Sequence, residues 1–289
     1  MNISKLLGIG LFLLVLSYVR CTTGGGDDIA GGTGTGNPTG GGKAVVALLA
    51  DTSADSASMS KTPAQDAGPG PMPPVDLPID PFPVTDDDSL AFTVTSAVVT
   101  VQALYFVPAA GFDCSTLTED TQGVSCDSNG IRLDGPFEFD LLAGTSEPGI
   151  DSLMLPEGEY EGLGLLLRGD SISTVGNSGW PIQLAGTFTY EDTMHNFTIL
   201  ADADQLAIYR EPGGPFTVKS DTVTHFVVRL HTPHWLESLA IQSCLADQNI
   251  AFDTDGTLTI GPNTGAGPCV GLHAQARANV LNSGRLEIF

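Results

Sequence analysis

Residues 92–107 read FTVTSAVVTVQALYFV, a run of β-branched and aromatic residues that predicts a long β-strand. The apolar residues of this run shift phase partway along it. Phe92, Val94 and Val98 occupy even positions, whereas Val99 opens a series at odd positions that continues to Val107. Because side chains alternate between the two faces of a strand, this shift predicts a β-bulge, or a bend that moves the strand from one sheet to another.

Shorter strand patterns surround this run, and turn-forming residues separate nearly all of them. They cover residues 44–50, 132–142, 160–167, 182–190, 196–201, 216–220, 223–230, 257–260 and 286–289. Helical spacing is confined to residues 232–240 and 272–281. Many short strands with little helix predict an all-β protein, either a β-sandwich or a partial barrel, with one or two short helices near the C-terminus.

The composition is strongly acidic. The chain has 34 Asp and Glu against 11 Lys and Arg, which gives a formal net charge of −23 at pH 7. That charge repels phosphate backbones and anionic lipid headgroups, so it argues against nucleic-acid binding and against docking to a membrane through a basic patch. The hydrophobic fraction of 42% is sufficient for a packed core. We therefore expect a folded protein with no nucleic-acid partner.

The N-terminus has the layout of an export signal. Lys5 precedes an apolar run at 6–16 that is too short to span a bilayer, so we interpret residues 1–20 as a signal peptide. Cys21 follows directly, and the arrangement resembles a bacterial lipoprotein signal, although Arg20 departs from the usual small residue before the cysteine. The resemblance implies lipidation of Cys21 and attachment to the cell envelope at the outer membrane. The alternative is ordinary secretion with an unmodified Cys21.

Glycine and proline divide the rest of the chain. We interpret residues 21–43 as the lipid anchor and a Gly-rich tether. Residues 44–289 form the folded part, as one domain or as two with a boundary near 170–180. A Pro-rich insertion at 51–89 interrupts this part after its first strand, and the acidic triplet at 86–88 is expected to cap the insertion.

Four cysteines follow Cys21, namely Cys114, Cys126, Cys244 and Cys269. No pair has the C-x-x-C spacing of a zinc or redox site, and an even number in an exported chain predicts disulfides. Four cysteines allow three connectivities. We expect the nearest-neighbour one, which joins Cys114 to Cys126 and Cys244 to Cys269, because it closes two local loops rich in Gly, Asp, Ser and Thr.

Two motifs carry a resemblance to a known family. Residues 137–144 read FEFDLLAG, and residues 155–160 read LPEGEY and open a strand. They resemble a family of bacterial envelope lipoproteins in which Leu-Pro-x-Gly-x-Tyr follows a strand ending in Asp-Leu-Leu, and the second motif is also similar to prealbumin-like accessory modules. The resemblance covers about residues 44–169. It implies an envelope location and a β-sandwich of the prealbumin- or immunoglobulin-like kind, and it brings no catalytic residues.

Histidines near the end of the strand at 223–230 suggest a metal site. Alternation along the strand places His231 on its wetter face. His231 and His234 could join His195 or His273 in a copper site, beside a neighbouring Trp. Solvated or capping histidines are the alternative.

Asp253 and Asp255 lie in the sequence DTDGT, whose alternating acids and glycine suggest a calcium loop in an acidic exported chain. The twelve-residue calcium-binding hand is incomplete, because a third Asp before the Gly and the bidentate Glu are missing. A turn leading into the strand at 257–260 is the alternative.

The sequence lacks the common catalytic templates, including G-x-S-x-G and H-E-x-x-H. Trp180 and Trp235 are candidates for stacking on sugars, with core packing as the alternative. We expect a non-enzymatic protein of the bacterial cell envelope, a structural or ligand-binding module whose partners are the membrane, through its lipid, and a glycan or a protein. A secreted protein that binds calcium or copper is the alternative, and a hydrolase is a third possibility. No other cofactor is expected.

Overall fold

The computed structural model describes residues 41–52, 79–109, 114, 124–150, 153–168 and 179–289, and all of these belong to one compact unit. The predicted signal peptide, Cys21 and most of the predicted tether lie outside the described residues. So do most of the Pro-rich insertion and residues 169–178, where a domain boundary was predicted.

The described residues are mostly β-strand, which confirms the all-β prediction. Fifteen strands run through them: β1 (Gly41–Asp51), β2 (Phe82–Thr85), β3 (Ala91–Pro108), β4 (Val124–Asp127), β5 (Gly130–Asp140), β6 (Thr145–Glu147), β7 (Leu153–Pro156), β8 (Gly158–Arg168), β9 (Ile182–Tyr190), β10 (Thr193–Ala201), β11 (Asp204–Arg210), β12 (Phe216–Val218), β13 (Val223–His231), β14 (Leu258–Ile260) and β15 (Gly284–Ile288).

The strands form two sheets. The smaller sheet has the order β15-β13-β1-β7, and its central pair, β1 and β13, is parallel. The larger sheet has eleven strands. Strand β2 belongs to it, although it lies inside the segment that was predicted to be an irregular Pro-rich insertion, so that prediction is wrong for Phe82–Thr85.

Strand β3 organises the larger sheet. Strands β2 and β5 pair along one of its edges, and β9 and β8 pair along the other. The pairing with β9 shifts register between Val94 and Ser96. Residues buried before the shift lie at even positions, whereas Ala97, Val99 and Val101 are buried after it. The predicted β-bulge is therefore confirmed. It lies between Val94 and Ser96, before the position at Val98 and Val99 that the sequence pattern indicated.

The two sheets share one hydrophobic core. Phe226 on β13 meets Phe106 on β3 edge to face, with ring centroids 5.1 Å apart, and meets Phe216 on β12 at 5.4 Å. Aromatic pairs of this geometry add to the stabilisation from burial alone. These contacts join the smaller sheet to the larger one.

Helix is limited to the C-terminal part of the described chain. Helix α2 (Leu272–Asn282) matches the predicted one. The other prediction, at 232–240, is wrong, because only a short 3-10 turn, Thr232–His234, forms there and helix α1 spans Ile241–Ala246. Ser238 has a positive φ of 61°, which no α-helix accommodates. None of the described helices has the length and apolar character needed to cross a bilayer.

Candidate functional site

The structure brings together two of the predicted metal ligands. The rings of His231 and His234 have centroids 4.9 Å apart. His231 is only 7% exposed, so the prediction that it lies on a wet face is wrong. The reason is that the 3-10 turn after β13 returns His234 over it and β1 places Asp51 beside it, with the Asp51 Oδ2 4.0 Å from the His231 Nδ1. The Nδ1 of His234 lies 2.7 Å from the Oε2 of Glu237.

The other two histidines of the copper hypothesis have different neighbours. His195 stacks on Phe252 with ring centroids 4.1 Å apart, and its Nδ1 lies 3.3 Å from the Gly256 carbonyl oxygen. The His273 Nε2 lies 3.5 Å from a carboxylate oxygen of Asp202. Within the described ranges, no group of three or more His, Cys, Asp or Glu side chains is arranged to hold a metal ion.

The loop containing Asp253 and Asp255 is a closed turn. The Asp253 backbone N–H donates to the Thr257 carbonyl at 2.8 Å, and Asp255 Oδ1 accepts from the Thr257 N–H at 3.0 Å. That hydrogen bond holds the pKa of Asp255 below its usual value. Asp253 Oδ2 accepts from the Thr259 hydroxyl at 2.6 Å. Both carboxylates are thus engaged within the turn that leads into β14.

Trp235 is a core residue, and its predicted role in stacking on a ligand is wrong. It is fully buried, packs edge to face on Phe82 at 5.7 Å, and donates from Nε1 to the Ser283 hydroxyl at 3.2 Å. The 3-10 turn draws it inward, where its N–H still has a partner. Trp180 is half-buried at the start of the last described range.

Both predicted disulfides are present. Cys114 is bonded to Cys126 on β4, and Cys244 on α1 is bonded to Cys269 in a 3-10 turn, Gly267–Cys269. The second bond closes the base of the segment 244–269. Cys269 and Cys244 are both buried, so this bond fixes the segment to the core.

That segment surrounds a shallow depression of about 440 Å³ that is wide open to solvent, and we refer to it as the cleft. The lining is rich in amide and hydroxyl side chains and includes a single carboxylate; it consists of Gln248, Asn249, Ile250, Ala251, Asp253, Thr259, Asn263, Thr264, Gly265 and Ala266. Gln248 and Asn263 are exposed, and Asn249 is half-buried. The cleft therefore offers uncharged donors and acceptors to a ligand from solution.

The walls of the cleft are held by backbone contacts. The Ala266 N–H donates to the Asn249 carbonyl at 2.9 Å, which joins the two sides. Thr264 Oγ1 accepts from the Gly261 N–H at 2.9 Å and donates to the Thr259 carbonyl at 3.2 Å. With the disulfide, these bonds make the cleft a fixed part of the fold.

No sequence pattern marks Gln248, Asn249 or Asn263 as a site residue. Amide side chains have no diagnostic spacing, and the relevant positions are brought together only by the disulfide and by β14. The available signal was the predicted loop between Cys244 and Cys269 with its Gly and Thr residues. No family model matches the chain, and it matches neither a curated protein nor a solved structure.

Proposed function

We propose that the protein is a non-enzymatic module of the bacterial cell envelope that binds a glycan in the cleft bounded by residues 248–266. The observation that carries this proposal is the lining, in which Gln248, Asn249 and Asn263 supply amides and Thr259 and Thr264 supply hydroxyls. Amides donate and accept hydrogen bonds at once, as sugar hydroxyls do, so the two surfaces are complementary.

The residues that line the cleft favour binding of a glycan without its hydrolysis. Glycosidases of the common kind use two carboxyl groups on either side of the scissile bond. Asp253 is the one carboxylate among the lining residues, and it already accepts the Thr259 hydroxyl. A lone carboxylate engaged in this way supports a role in recognition.

We infer a β-sandwich of the prealbumin- or immunoglobulin-like kind from the packing of the smaller sheet on the larger one through Phe226. The Leu-Pro-x-Gly-x-Tyr motif supports the assignment. Its Tyr160 is buried on β8, and its hydroxyl donates to the Pro156 carbonyl at 2.8 Å, which closes the turn between β7 and β8.

The proposed location is the envelope, with Cys21 as the lipidated first residue of the mature chain. Two disulfides in the described residues suit an exported protein. Mass spectrometry of the mature N-terminus checks the lipid: a diacylated or triacylated Cys21 is expected. An unmodified start at Thr22, or a chain that retains Arg20, would refute lipidation and leave the glycan proposal standing.

Glycan binding is tested with an array of neutral hexasaccharides, namely cellohexaose, xylohexaose and chitohexaose, followed by calorimetry. We expect at least one to bind the mature protein, and Asn263→Ala in the cleft to weaken that binding several-fold. Asn196→Ala serves as the matched control, because Asn196 is exposed on β10 and does not line the cleft. Equal affinities of the two variants would place the binding site elsewhere.

The second candidate function is metal binding, and it rests on the 4.9 Å separation of the His231 and His234 rings. Imidazole nitrogens are ligands that copper prefers. Thermal melts with copper, with calcium and with chelator test it. A rise in Tm with copper that His234→Ala removes would support this candidate, and identical melts in all conditions would exclude it.

A further inference from the structure

Gln248 occupies a backbone position that usually belongs to glycine. It is the first residue beyond the C-cap of α1, and its φ is +58°. Its N–H donates to the Leu245 carbonyl at 3.0 Å, and the N–H of Asn249 donates to the Cys244 carbonyl at 2.9 Å. These two bonds define the Schellman motif, in which the residue at this position is left-handed.

A glutamine at this position is strained. The Cβ of an L-residue crowds the backbone in the left-handed region, which is why glycine, or sometimes asparagine, ends most helices of this kind. Among the described residues, five non-glycines have a positive φ, namely Ser89, Glu191, Asp192, Ser238 and Gln248. Of these five, Gln248 lines the cleft and the others do not.

Gln248 is therefore the one strained residue of these five whose side chain lines the candidate ligand site. Strained backbone is retained where the surrounding structure holds it and where the side chain has a use. The Cys244–Cys269 disulfide is buried and fixes α1 to the core, so the surrounding structure can hold this backbone conformation. The fold has no evident need for a glutamine here, since its side chain is exposed at the rim of the cleft.

We infer that Gln248 is a specificity-determining residue of the cleft, whose amide binds hydroxyl groups of a neutral sugar. The inference rests on the proposed glycan-binding function and names the class of ligand. Gln248 and Asn249 place two adjacent amides on one wall, and the Asp253 carboxylate lies on the same lining. A carboxylate accepts hydrogen bonds from sugar hydroxyls but repels the carboxylates of an acidic sugar, so an uncharged glycan fits and a uronic acid does not.

The test compares Gln248→Gly with Ser238→Gly. Each change puts glycine at an exposed position of positive φ and so removes the strain there, and neither alters the net charge. Only the first changes a residue that lines the cleft. The probes are cellohexaose, xylohexaose and chitohexaose, with hexagalacturonate as the acidic comparator. Calorimetry gives the affinity, and a thermal melt gives Tm for each variant.

We expect Gln248→Gly to melt at or above the wild-type Tm and to bind the neutral hexasaccharide about tenfold more weakly, the loss of one to two hydrogen bonds. Ser238→Gly should bind the neutral hexasaccharide as the wild type does. Hexagalacturonate should bind none of the three proteins. Wild-type affinity in Gln248→Gly, or binding of hexagalacturonate to the wild type, would overturn this inference alone. A wild-type protein that binds none of the four probes would remove the proposed function and this inference together.

Discussion

Asp86 and Ile241, 155 positions apart in the chain, are joined by a hydrogen bond of 3.0 Å from the Ile241 backbone N–H to the Asp86 Oδ2. The other carboxylate oxygen of Asp86 accepts from the N–H groups of Leu90 at 2.8 Å and Asp88 at 3.1 Å. Asp88 in turn accepts from the Ser243 N–H at 2.9 Å. Two carboxylates from the turn between β2 and β3 thus satisfy the first N–H groups of α1, which has no capping side chain of its own.

Replacing Asp86 with Asn should destabilise the fold by about 1–3 kcal/mol, because an amide NH₂ would face a backbone donor in a buried site and leave it unsatisfied. Urea denaturation monitored by fluorescence measures the change in the free energy of unfolding. Asp87→Asn is the matched control, since Asp87 is exposed and its carboxylate caps nothing in the described structure. Equal unfolding free energies for the two variants would show that the Asp86 contacts do not support α1.

Removing the Cys244–Cys269 disulfide should impair both stability and ligand binding. A double change to Ser is expected to cost about 3 kcal/mol and to weaken binding of the neutral hexasaccharide, because this bond closes the cleft segment. The corresponding double change at Cys114 and Cys126 should lower stability and leave binding intact, since that bond lies outside the cleft lining. Wild-type affinity in both double variants would show that the cleft does not depend on the Cys244–Cys269 disulfide.

Gly186→Ala should be strongly destabilising. Strand β9 approaches β3 so closely at the bulge that a Cβ on Gly186 would collide with the Thr93 carbonyl oxygen and with the ring of Phe197. Backbone cannot yield as a flexible side chain does, so we expect a loss of about 1–3 kcal/mol or more in denaturant titrations. Gly213→Ala is the control, because the nearest atom to its added Cβ is a side-chain oxygen at 3.5 Å. If both variants unfold alike, the close approach is not a constraint.

Alkaline pH should destabilise the protein through Tyr209. Burial raises the pKa of Tyr209 well above the ordinary value of 10.0, and its hydroxyl donates to the Leu281 carbonyl at 3.0 Å. The unfolded chain releases this proton near pH 10 and the folded chain retains it, so the stability that Tyr209 contributes is full below pH 10 and declines above it. Between about pH 9 and 11 the free energy of unfolding should fall less steeply in Tyr209→Phe than in the wild type. If the free energy of unfolding falls equally with pH in both proteins, Tyr209 is not the source of the alkaline destabilisation.

Local patterns predicted the strands well. The phase shift could be read from the sequence because alternation is a property of neighbouring residues. The pattern placed the shift at Val98 and Val99, whereas the register changes between Val94 and Ser96. Five strands were not predicted, since they are short or half-exposed; they are β2, β4, β6, β7 and β11.

The wrong predictions concern residues whose surroundings are set by distant parts of the chain. Alternation assigns His231 to one face of β13 but does not show that Asp51 and the 3-10 turn cover that face. Nor does a six-residue helix at Ile241–Ala246 follow from local propensity when its first N–H groups are satisfied by Asp86 and Asp88. The amides of the cleft could not be predicted for the same reason, because a cavity forms only when distant parts of the chain have assembled.

The parallel pairing of β1 with β13 has a mechanical consequence. Nine register pairs, from Lys43 with Val223 to Asp51 with His231, join the two strands along the whole of β1 after Gly41 and Gly42. A force applied at Gly41 along the axis of β1 loads these pairs in shear. All of them must then give way together, whereas a pull across the sheet would open them one after another. Strand β1 therefore resists a pull along its own axis more strongly than a pull across the sheet.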